Sequence, residues 1–135
     1  MSVVENKDIE PIKLLLVDDE IGYVEILTKR LGKRHIEVIA AYSGTEAIKA
    51  MRNEYYDVAI LDLKMEDMDG IEVLKILRKM DPNMPIIMLT GHGSERAAID
   101  GIRYGAFDYL TKPCDIDELV DKVRQAKEFG GIPNE

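Results

Sequence analysis

The 135-residue sequence has a single cysteine, only two histidines and no tryptophan. One cysteine, Cys114, cannot form a disulfide within the chain, which is typical of proteins from a reducing compartment. His35, His92 and Cys114 have no spacing that would build a zinc site. The sequence therefore excludes a disulfide-bonded scaffold and argues against a zinc protein.

Long apolar runs and an excess of positive charge are also missing. No apolar stretch approaches the roughly 20 residues that a membrane-spanning helix needs, and residues 1–8 lack the apolar core of a signal peptide. The 18 basic and 26 acidic residues give a formal charge of −8, which argues against a nucleic-acid-binding surface. We therefore expect a single cytoplasmic domain that binds neither nucleic acid nor membrane.

What the sequence does contain is a set of short apolar runs, each bounded by polar residues and separated by stretches with helical spacing. Such alternation is typical of buried strands of a parallel sheet with helices between them. It predicts strands near residues 13–17, 36–40, 58–61, 86–89 and 107–110, and helices that begin near residues 20, 43, 69, 94 and 115. Strict strand–helix alternation implies right-handed crossovers and a doubly wound α/β sheet. The expected divisions are a polar lead-in (1–11), one domain (12–129) and a short tail (130–135).

Polar side chains that can take part in chemistry follow four of the predicted strands; they are Asp18, Asp19, Asp62, Thr90 and Lys112. In an open α/β sheet the ligand crevice lies at the carboxyl ends of the strands, so these groups should meet in one pocket. Two like charges 4 Å apart repel by about 4 kcal/mol at an effective dielectric near 20, so three carboxylates beside one ammonium form a strained cluster. A divalent cation would relieve that strain, and clustered carboxylates without soft ligands favour Mg²⁺.

Five motifs, in order along the chain, resemble those of the receiver domain of bacterial two-component response regulators. They are Asp18-Asp19 before a helix, Asp62 at a strand end, Met68-Asp69-Gly70, Leu89-Thr90-Gly91 and Tyr109-Leu110-Thr111-Lys112-Pro113. The resemblance spans roughly residues 12–129. It implies a flavodoxin-like receiver fold, in which five parallel strands in the order 2-1-3-4-5 are flanked by five helices.

The resemblance implies a phosphorylation-controlled signalling switch. Asp62 would be the phosphoacceptor, which takes a phosphoryl group from a sensor histidine kinase or a histidine phosphotransfer protein. Asp19, Asp62 and the backbone carbonyl of Lys64 would hold Mg²⁺, with Asp18 close by or ligating through water. Phosphorylation would then change how the domain binds a downstream protein target.

The same resemblance gives roles to residues on the last two strands. Lys112 would pair with one phosphoryl oxygen, and Thr90 would donate its hydroxyl to another. Pulling Thr90 inward would vacate space for the ring of Tyr109 and change the face made by the fourth helix, fifth strand and fifth helix. A dimer through that face is possible. The peptide bond between Lys112 and Pro113 is expected to be cis.

The sequence departs from the family pattern at Glu66, a position that often holds proline. Two further positions, Lys64 and His92, border the path of attacking water and are expected to tune the lifetime of the phosphoryl group. Both side chains are polar and bulky, and the sequence leaves open whether they hinder water or orient it.

An aspartyl-phosphate-forming phosphatase of the haloacid-dehalogenase type is the main alternative, because it too uses a strand-end Asp. That class resembles an Asp followed two residues later by a second Asp, whereas this chain has Lys64 after Asp62 and Glu20 after Asp18. We therefore favour a switch that promotes only its own phosphorylation and dephosphorylation. It could stand alone or be the receiver fragment of a larger transcription activator. No output domain is visible, so DNA binding by this chain is not expected.

Overall fold

A computed structural model describes residues 10–91 and 95–130 of the chain. Within these residues five strands alternate with five helices. The strands are β1 Ile12–Val17, β2 Ile36–Ala41, β3 Val58–Asp62, β4 Ile86–Thr90 and β5 Asp108–Thr111. The helices are α1 Ile21–Gly32, α2 Gly44–Asn53, α3 Gly70–Met80, α4 Glu95–Arg103 and α5 Ile116–Phe129. None of these helices combines the length and the apolar content that crossing a membrane requires.

The strands form one parallel sheet in the order β2-β1-β3-β4-β5. The predicted fold class and strand order are therefore confirmed. The helix after β1 packs on one face of the sheet and the helix after β3 on the other. Such a change of side opens a crevice between the carboxyl ends of two adjacent strands. The crevice here lies between β1 and β3.

The sheet is covered on both faces, which explains why its central strands are apolar along their whole length. Leu15 and Leu61 lie in the core beneath α2, α3 and α4, whereas Leu14 and Ile60 lie in the core beneath α1 and α5. Each buried aliphatic side chain stabilises the fold by about 1.5–3 kcal/mol. Every residue of β3 and β4 is buried, as expected for central parallel strands.

Helix α2 begins at Gly44, close to the start that was predicted near residue 43, and a capping box fixes this end. The Ser43 hydroxyl accepts a 3.0 Å hydrogen bond from the N–H of Glu46. The Glu46 carboxylate accepts a 2.8 Å bond from the N–H of Tyr42, one residue before the cap. Backbone donors at the start of α2 are thereby satisfied by side chains.

Two strand ends differ from the prediction in a way that matters for the site. β3 and β4 each extend one residue further, so Asp62 and Thr90 belong to the sheet itself. The reason is pairing with the neighbouring strand. The N–H of Leu63, after β3, donates to the carbonyl of Leu89 at 3.1 Å, and the N–H of Lys112 donates to the carbonyl of Thr90 at 2.7 Å. His92 lies outside the described residues, as do residues 1–9 and 131–135. The proposed divisions at 11 and 130 stay predictions.

Candidate functional site at the carboxyl ends of the strands

Of the described residues, the buried polar side chains are Asp18, Asp62 and Thr90. Asp18 directly follows β1, and the other two are the last residues of β3 and β4. All three therefore lie at the same edge of the sheet. Aspartate is almost never fully buried unless it is paired, so two buried aspartates at one edge indicate a site.

Lys112, directly after β5, brings its ammonium into this cluster. Its Nζ lies 2.8 Å from Asp18 Oδ2 and 2.7 Å from Glu20 Oε1. The same Nζ is 3.5 Å from Asp62 Oδ2 and 4.6 Å from the centroid of the Tyr23 ring. The ring face attracts a cation at that distance. The ammonium of Lys112, which follows β5, is thus close to a residue after β1 (Asp18), a residue of α1 (Tyr23) and the last residue of β3 (Asp62).

The Asp18 carboxylate is fully buried, with its two oxygens in different situations. Oδ1 accepts a 2.9 Å hydrogen bond from the N–H of Glu20. Oδ2 lies 2.8 Å from the Lys112 ammonium, and no other described group contacts it closely enough to donate a hydrogen bond. A carboxylate oxygen has more than one lone pair. Oδ2 can therefore accept a further ligand beside the ammonium.

Burial raises the pKa of the Asp62 carboxyl from 3.8 to about 6. The N–H of Lys64, which donates to Asp62 Oδ1 at 3.1 Å, lowers that pKa, while the charge of Asp18 raises it. For Lys112, burial lowers the pKa of the ammonium, but the carboxylates of Asp18 and Glu20 outweigh burial and hold it above its ordinary value. The environment thus disfavours the ionised form of Asp62 and favours the charged form of Lys112.

The carboxylates of Asp18, Glu20 and Asp62 have oxygens that all lie within 4.8 Å of one another. Asp19 is not one of these three, and its Oδ2 accepts a 3.3 Å hydrogen bond from the N–H of Glu66 in the loop after Asp62. It still lies close enough for its charge to raise the pKa of Asp62. The position of Glu20 beside Lys112 was not foreseen from the sequence. Its only signal there was a third acidic residue at a helix start, which was compatible with a favourable helix dipole alone.

These residues fit a magnesium ion on chemical grounds. Every candidate side-chain donor is a carboxylate oxygen, the ligand type that Mg²⁺ prefers. Asp18 Oδ2 is a buried acceptor whose one close described partner is the Lys112 ammonium, so it can still accept a metal ion. Four carboxylates near one ammonium also leave a net negative charge that a divalent cation would offset.

Thr90 and Tyr109 lie on neighbouring strands beside the cluster. The Thr90 hydroxyl is fully buried and donates to the carbonyl of Leu110 at 3.4 Å, a long and therefore weak hydrogen bond. Tyr109 is half-buried and packs against the core beneath α2, α3 and α4. The structure therefore places the hydroxyl at the site edge and the ring on one face of the sheet.

The loop after Asp62 is held to the body of the domain at several points. Lys64 and Asp69 form an isolated antiparallel bridge, and the Asp69 carboxylate caps α3. Asp67 accepts hydrogen bonds from the N–H groups of Gly44 and Thr45, at 3.0 and 3.1 Å. This acidic loop is therefore anchored to the start of α2. The Lys112–Pro113 peptide bond, on the other side of the site, is cis, the isomer that the resemblance implies.

Comparison with known protein families decides what kind of domain carries this site. The family model for the response regulator receiver domain matches residues 14–124. The chain belongs to this family. It is a response regulator receiver domain, the kind of domain that operates in two-component signalling.

The receiver domain is similar to segments of longer regulators. It is 40% identical over 119 residues to the transcriptional regulatory protein GlrR of Escherichia coli, covering 88% of this chain and 27% of that protein. It is 36% identical over 115 residues to ZraR of Salmonella typhimurium, covering 85% of this chain and 26% of that protein. The chain thus spans about a quarter of the length of the curated relatives it matches.

Solved structures show the same receiver architecture. The receiver domain of the Francisella response regulator 1452 superposes with a TM-score of 0.80 at 36% identity, covering 87% of this chain and 97% of that one. NtrX from Brucella abortus, solved with ADP, gives a TM-score of 0.85 at 28% identity, covering 89% of this chain and 28% of that one.

Proposed function

We propose that Asp62 of this receiver domain accepts a phosphoryl group from the phosphohistidine of a sensor histidine kinase or a histidine phosphotransfer protein. The observation that carries the proposal is a nearly buried carboxylate at the end of β3, 3.5 Å from the Lys112 ammonium and beside the buried Asp18. We assign this role to the segment 12–129. A buried carboxylate with a nearby cation is suited to forming a covalent phosphoryl intermediate.

In the transfer step, an Asp62 oxygen forms a bond to phosphorus while the phosphorus–nitrogen bond to the donor imidazole breaks. The electron pair of that bond stays on the imidazole nitrogen. Phosphoryl transfer depends mainly on alignment and charge neutralisation. The Lys112 ammonium supplies one positive charge to the phosphoryl oxygens from its position beside Asp62.

We assign the magnesium ion to Asp19, Asp62 and the backbone carbonyl of Lys64, with Asp18 as a direct or water-mediated ligand. When bound, Mg²⁺ would neutralise charge on the carboxylates and on the phosphoryl oxygens. The buried Asp18 Oδ2 supports this assignment, because the Lys112 ammonium is its one close described partner and the oxygen keeps a lone pair for a ligand.

The switch would act through Thr90 and Tyr109. Phosphoryl oxygens are strong acceptors, so the Thr90 hydroxyl would exchange its 3.4 Å bond to the Leu110 carbonyl for a bond to phosphate. Tyr109 would then fill the vacated space. The surface made by α4, β5 and α5 would change its packing and with it the affinity for a downstream protein, or for a second copy of the domain.

Two positions would set how long the phosphoryl group lasts. Lys64, two residues after Asp62, is exposed, and its side chain would border the approach of water. We propose the same influence on phosphoryl lifetime for His92, which lies outside the described residues.

The full-length relatives favour a second, wider role for the same switch. GlrR and ZraR are named as transcriptional regulatory proteins, and the chain covers 27% and 26% of them. We propose that this receiver controls a transcription activator in the cytoplasm, either as part of the same polypeptide or through a separate target. Any contact with DNA would then belong to the activator and not to residues 12–129.

The proposal is tested by incubating the protein with acetyl phosphate and Mg²⁺ and measuring its intact mass. One phosphoryl group should be added per molecule, and omission of Mg²⁺ or the substitution Asp62→Asn should abolish the addition. Asp57→Asn is the matched control, because it changes the same residue type at the opposite end of β3 and should leave labelling intact. A folded wild-type protein that takes no label would contradict the proposal. Repeated turnover of small phosphoesters would instead favour the phosphatase.

A further inference from the structure

Lys112 is surrounded by more partners than a single ion pair requires. Its ammonium has three N–H groups, and it lies 2.7 Å from Glu20 and 2.8 Å from Asp18, both closer than the 3.5 Å to Asp62. The Tyr23 ring faces the same nitrogen at 4.6 Å. The ammonium is therefore already engaged, and Asp62 is the most distant of these three carboxylates.

The partners of Lys112 differ in how easily they can be displaced. The Asp18 side chain is fully buried, so its separation from the ammonium would leave a charge in a low-dielectric interior. The Glu20 side chain is 62% exposed, so water can solvate its carboxylate as soon as it releases the ammonium. Exposed ion pairs contribute little to stability, because water screens the two charges. Glu20 is thus the partner that can leave.

We propose that Glu20 is a positioning residue that holds Lys112 in the resting receiver and competes with the phosphoryl group on Asp62 for its ammonium. This inference rests on the proposed function of Asp62. Glu20 precedes α1 and has no side-chain hydrogen bond to the helix start, so its carboxylate serves Lys112 and not the cap. The Tyr23 ring keeps the ammonium at the rim when Glu20 departs.

Competition between Glu20 and the phosphoryl group for the Lys112 ammonium predicts the direction in which a Glu20 substitution changes ligand affinity. A neutral Gln at position 20 would hold the ammonium less strongly and would also remove the repulsion between Glu20 and an incoming dianion. Binding of beryllofluoride, a phosphoryl analogue, should therefore strengthen by about twofold to fivefold in Glu20→Gln at saturating Mg²⁺. Affinity for Mg²⁺ alone should weaken by less than about threefold, because Glu20 would contribute only its charge and no ligand atom.

The experiment compares wild type, Glu20→Gln and Glu25→Gln by calorimetric titration with Mg²⁺ and then with beryllofluoride. Glu25 is the matched control, since it is an exposed glutamate of α1 and its replacement removes the same charge. Stronger beryllofluoride binding in Glu20→Gln but not in Glu25→Gln supports the proposal. Equal affinity in all three proteins overturns it. A loss of Mg²⁺ affinity of tenfold or more in Glu20→Gln also overturns it, because Glu20 would then be a metal ligand.

A second measurement requires no metal. The rate of reductive methylation of Lys112, followed by peptide mass mapping, should rise in Glu20→Gln and stay unchanged in Glu25→Gln. An unchanged rate in both variants would contradict a holding role for Glu20. If wild type binds no beryllofluoride while the methylation rates still differ, the proposed function of Asp62 fails and the contact between Glu20 and Lys112 stands.

Discussion

The two ends of β3 carry the same residue type in opposite circumstances. Asp57, just before the strand, accepts a 2.8 Å hydrogen bond from the N–H of Lys13 and lies 3.2 Å from the Lys127 ammonium. Asp62, at the other end, accepts one bond from its own loop and has its pKa raised to about 6 by burial. The Asp57 side chain is 35% exposed, whereas that of Asp62 is 6% exposed.

The difference shows how one strand can be stabilised at one end and strained at the other. At the amino end, a partly exposed carboxylate has both a hydrogen-bond donor and a counter-ion. At the carboxyl end, the charge is desolvated and the nearest cation is shared with Asp18 and Glu20. Strain of this kind is typical of functional sites, where a ligand provides the missing interaction.

The largest expected effect comes from replacing aspartate with asparagine at each end of β3. Asp62→Asn should raise the free energy of unfolding by about 2 kcal/mol at pH 7 without Mg²⁺, because a carboxyl whose folded pKa is raised destabilises the fold once ionised. That cost is absent below pH 3.8 and complete above about pH 6. Asp57→Asn should lower the free energy of unfolding by about 1 kcal/mol, because it weakens a hydrogen bond and an ion pair. Urea denaturation measures both, and equal signs would contradict the comparison.

Replacing Lys112, whose ammonium is shared by Asp18, Glu20 and Asp62, should have the next largest effect on stability. Lys112→Met leaves Asp18 and Asp62 without compensation. We expect a loss of about 2 kcal/mol at neutral pH, which is less than for a fully buried pair because the rim is partly exposed. Lys127→Met, which removes the counter-ion of Asp57, should cost no more than about 1 kcal/mol. Thermal unfolding with and without Mg²⁺ checks this, since the ion should restore most of the loss in Lys112→Met.

The affinity for Mg²⁺ should depend on pH because the ion requires ionised Asp62. As pH falls below about 6 the proton occupies the carboxylate, and affinity should drop about tenfold per unit. Above that pH the affinity should be nearly constant. Calorimetric titrations from pH 5 to pH 8 test the sign, with Asp62→Asn as the control that lacks the step near pH 6. A wild-type affinity that rises on acidification would refute this reading of the site.

The smallest effect concerns the loop after Asp62. Hydrogen bonds from the N–H groups of Gly44 and Thr45 lower the pKa of Asp67, so its contribution to stability is present above pH 3.8 and is lost as pH falls through the folded pKa. Asp67→Ala should cost about 1 kcal/mol at pH 7, the usual size of a lost helix cap. Glu66→Ala, a neighbouring exposed residue, is the control. If both variants lose the same amount, Asp67 has no special anchoring role.

Much of the fold follows from patterns that are local in the sequence. Apolar runs such as 58–61 and 86–89 are too short for helices and lie between segments with helical spacing, so their parallel pairing could be predicted. The same rule explains why Asp62, Thr90 and Lys112 could be placed at one edge, since parallel strands end together. Strand ends were predicted one residue short because hydrogen bonds to the neighbouring strand, which are not local, extend them.

Three features of the site depended on contacts between distant residues. Glu20 meets Lys112 across 92 positions, Asp67 reaches the start of α2 across 23 and 22 positions, and Asp19 contacts the N–H of Glu66 across 47. Each depends on side-chain rotamers and loop paths that no periodic pattern encodes. The expected ligand role of Asp19 therefore stays a prediction, while the contact made by Glu20 could emerge only from the structure.

By itself the sequence determined the order of strands and helices, the apolar faces they bury and the residue types at each strand end. These are properties of the local chain, because hydrophobic spacing and capping residues act over a few positions. Only the tertiary structure decided which of the acidic residues share the Lys112 ammonium and how strongly Asp62 is desolvated. Burial and the distance between charges arise when separate segments pack together, and they control the free energy of each ionised group.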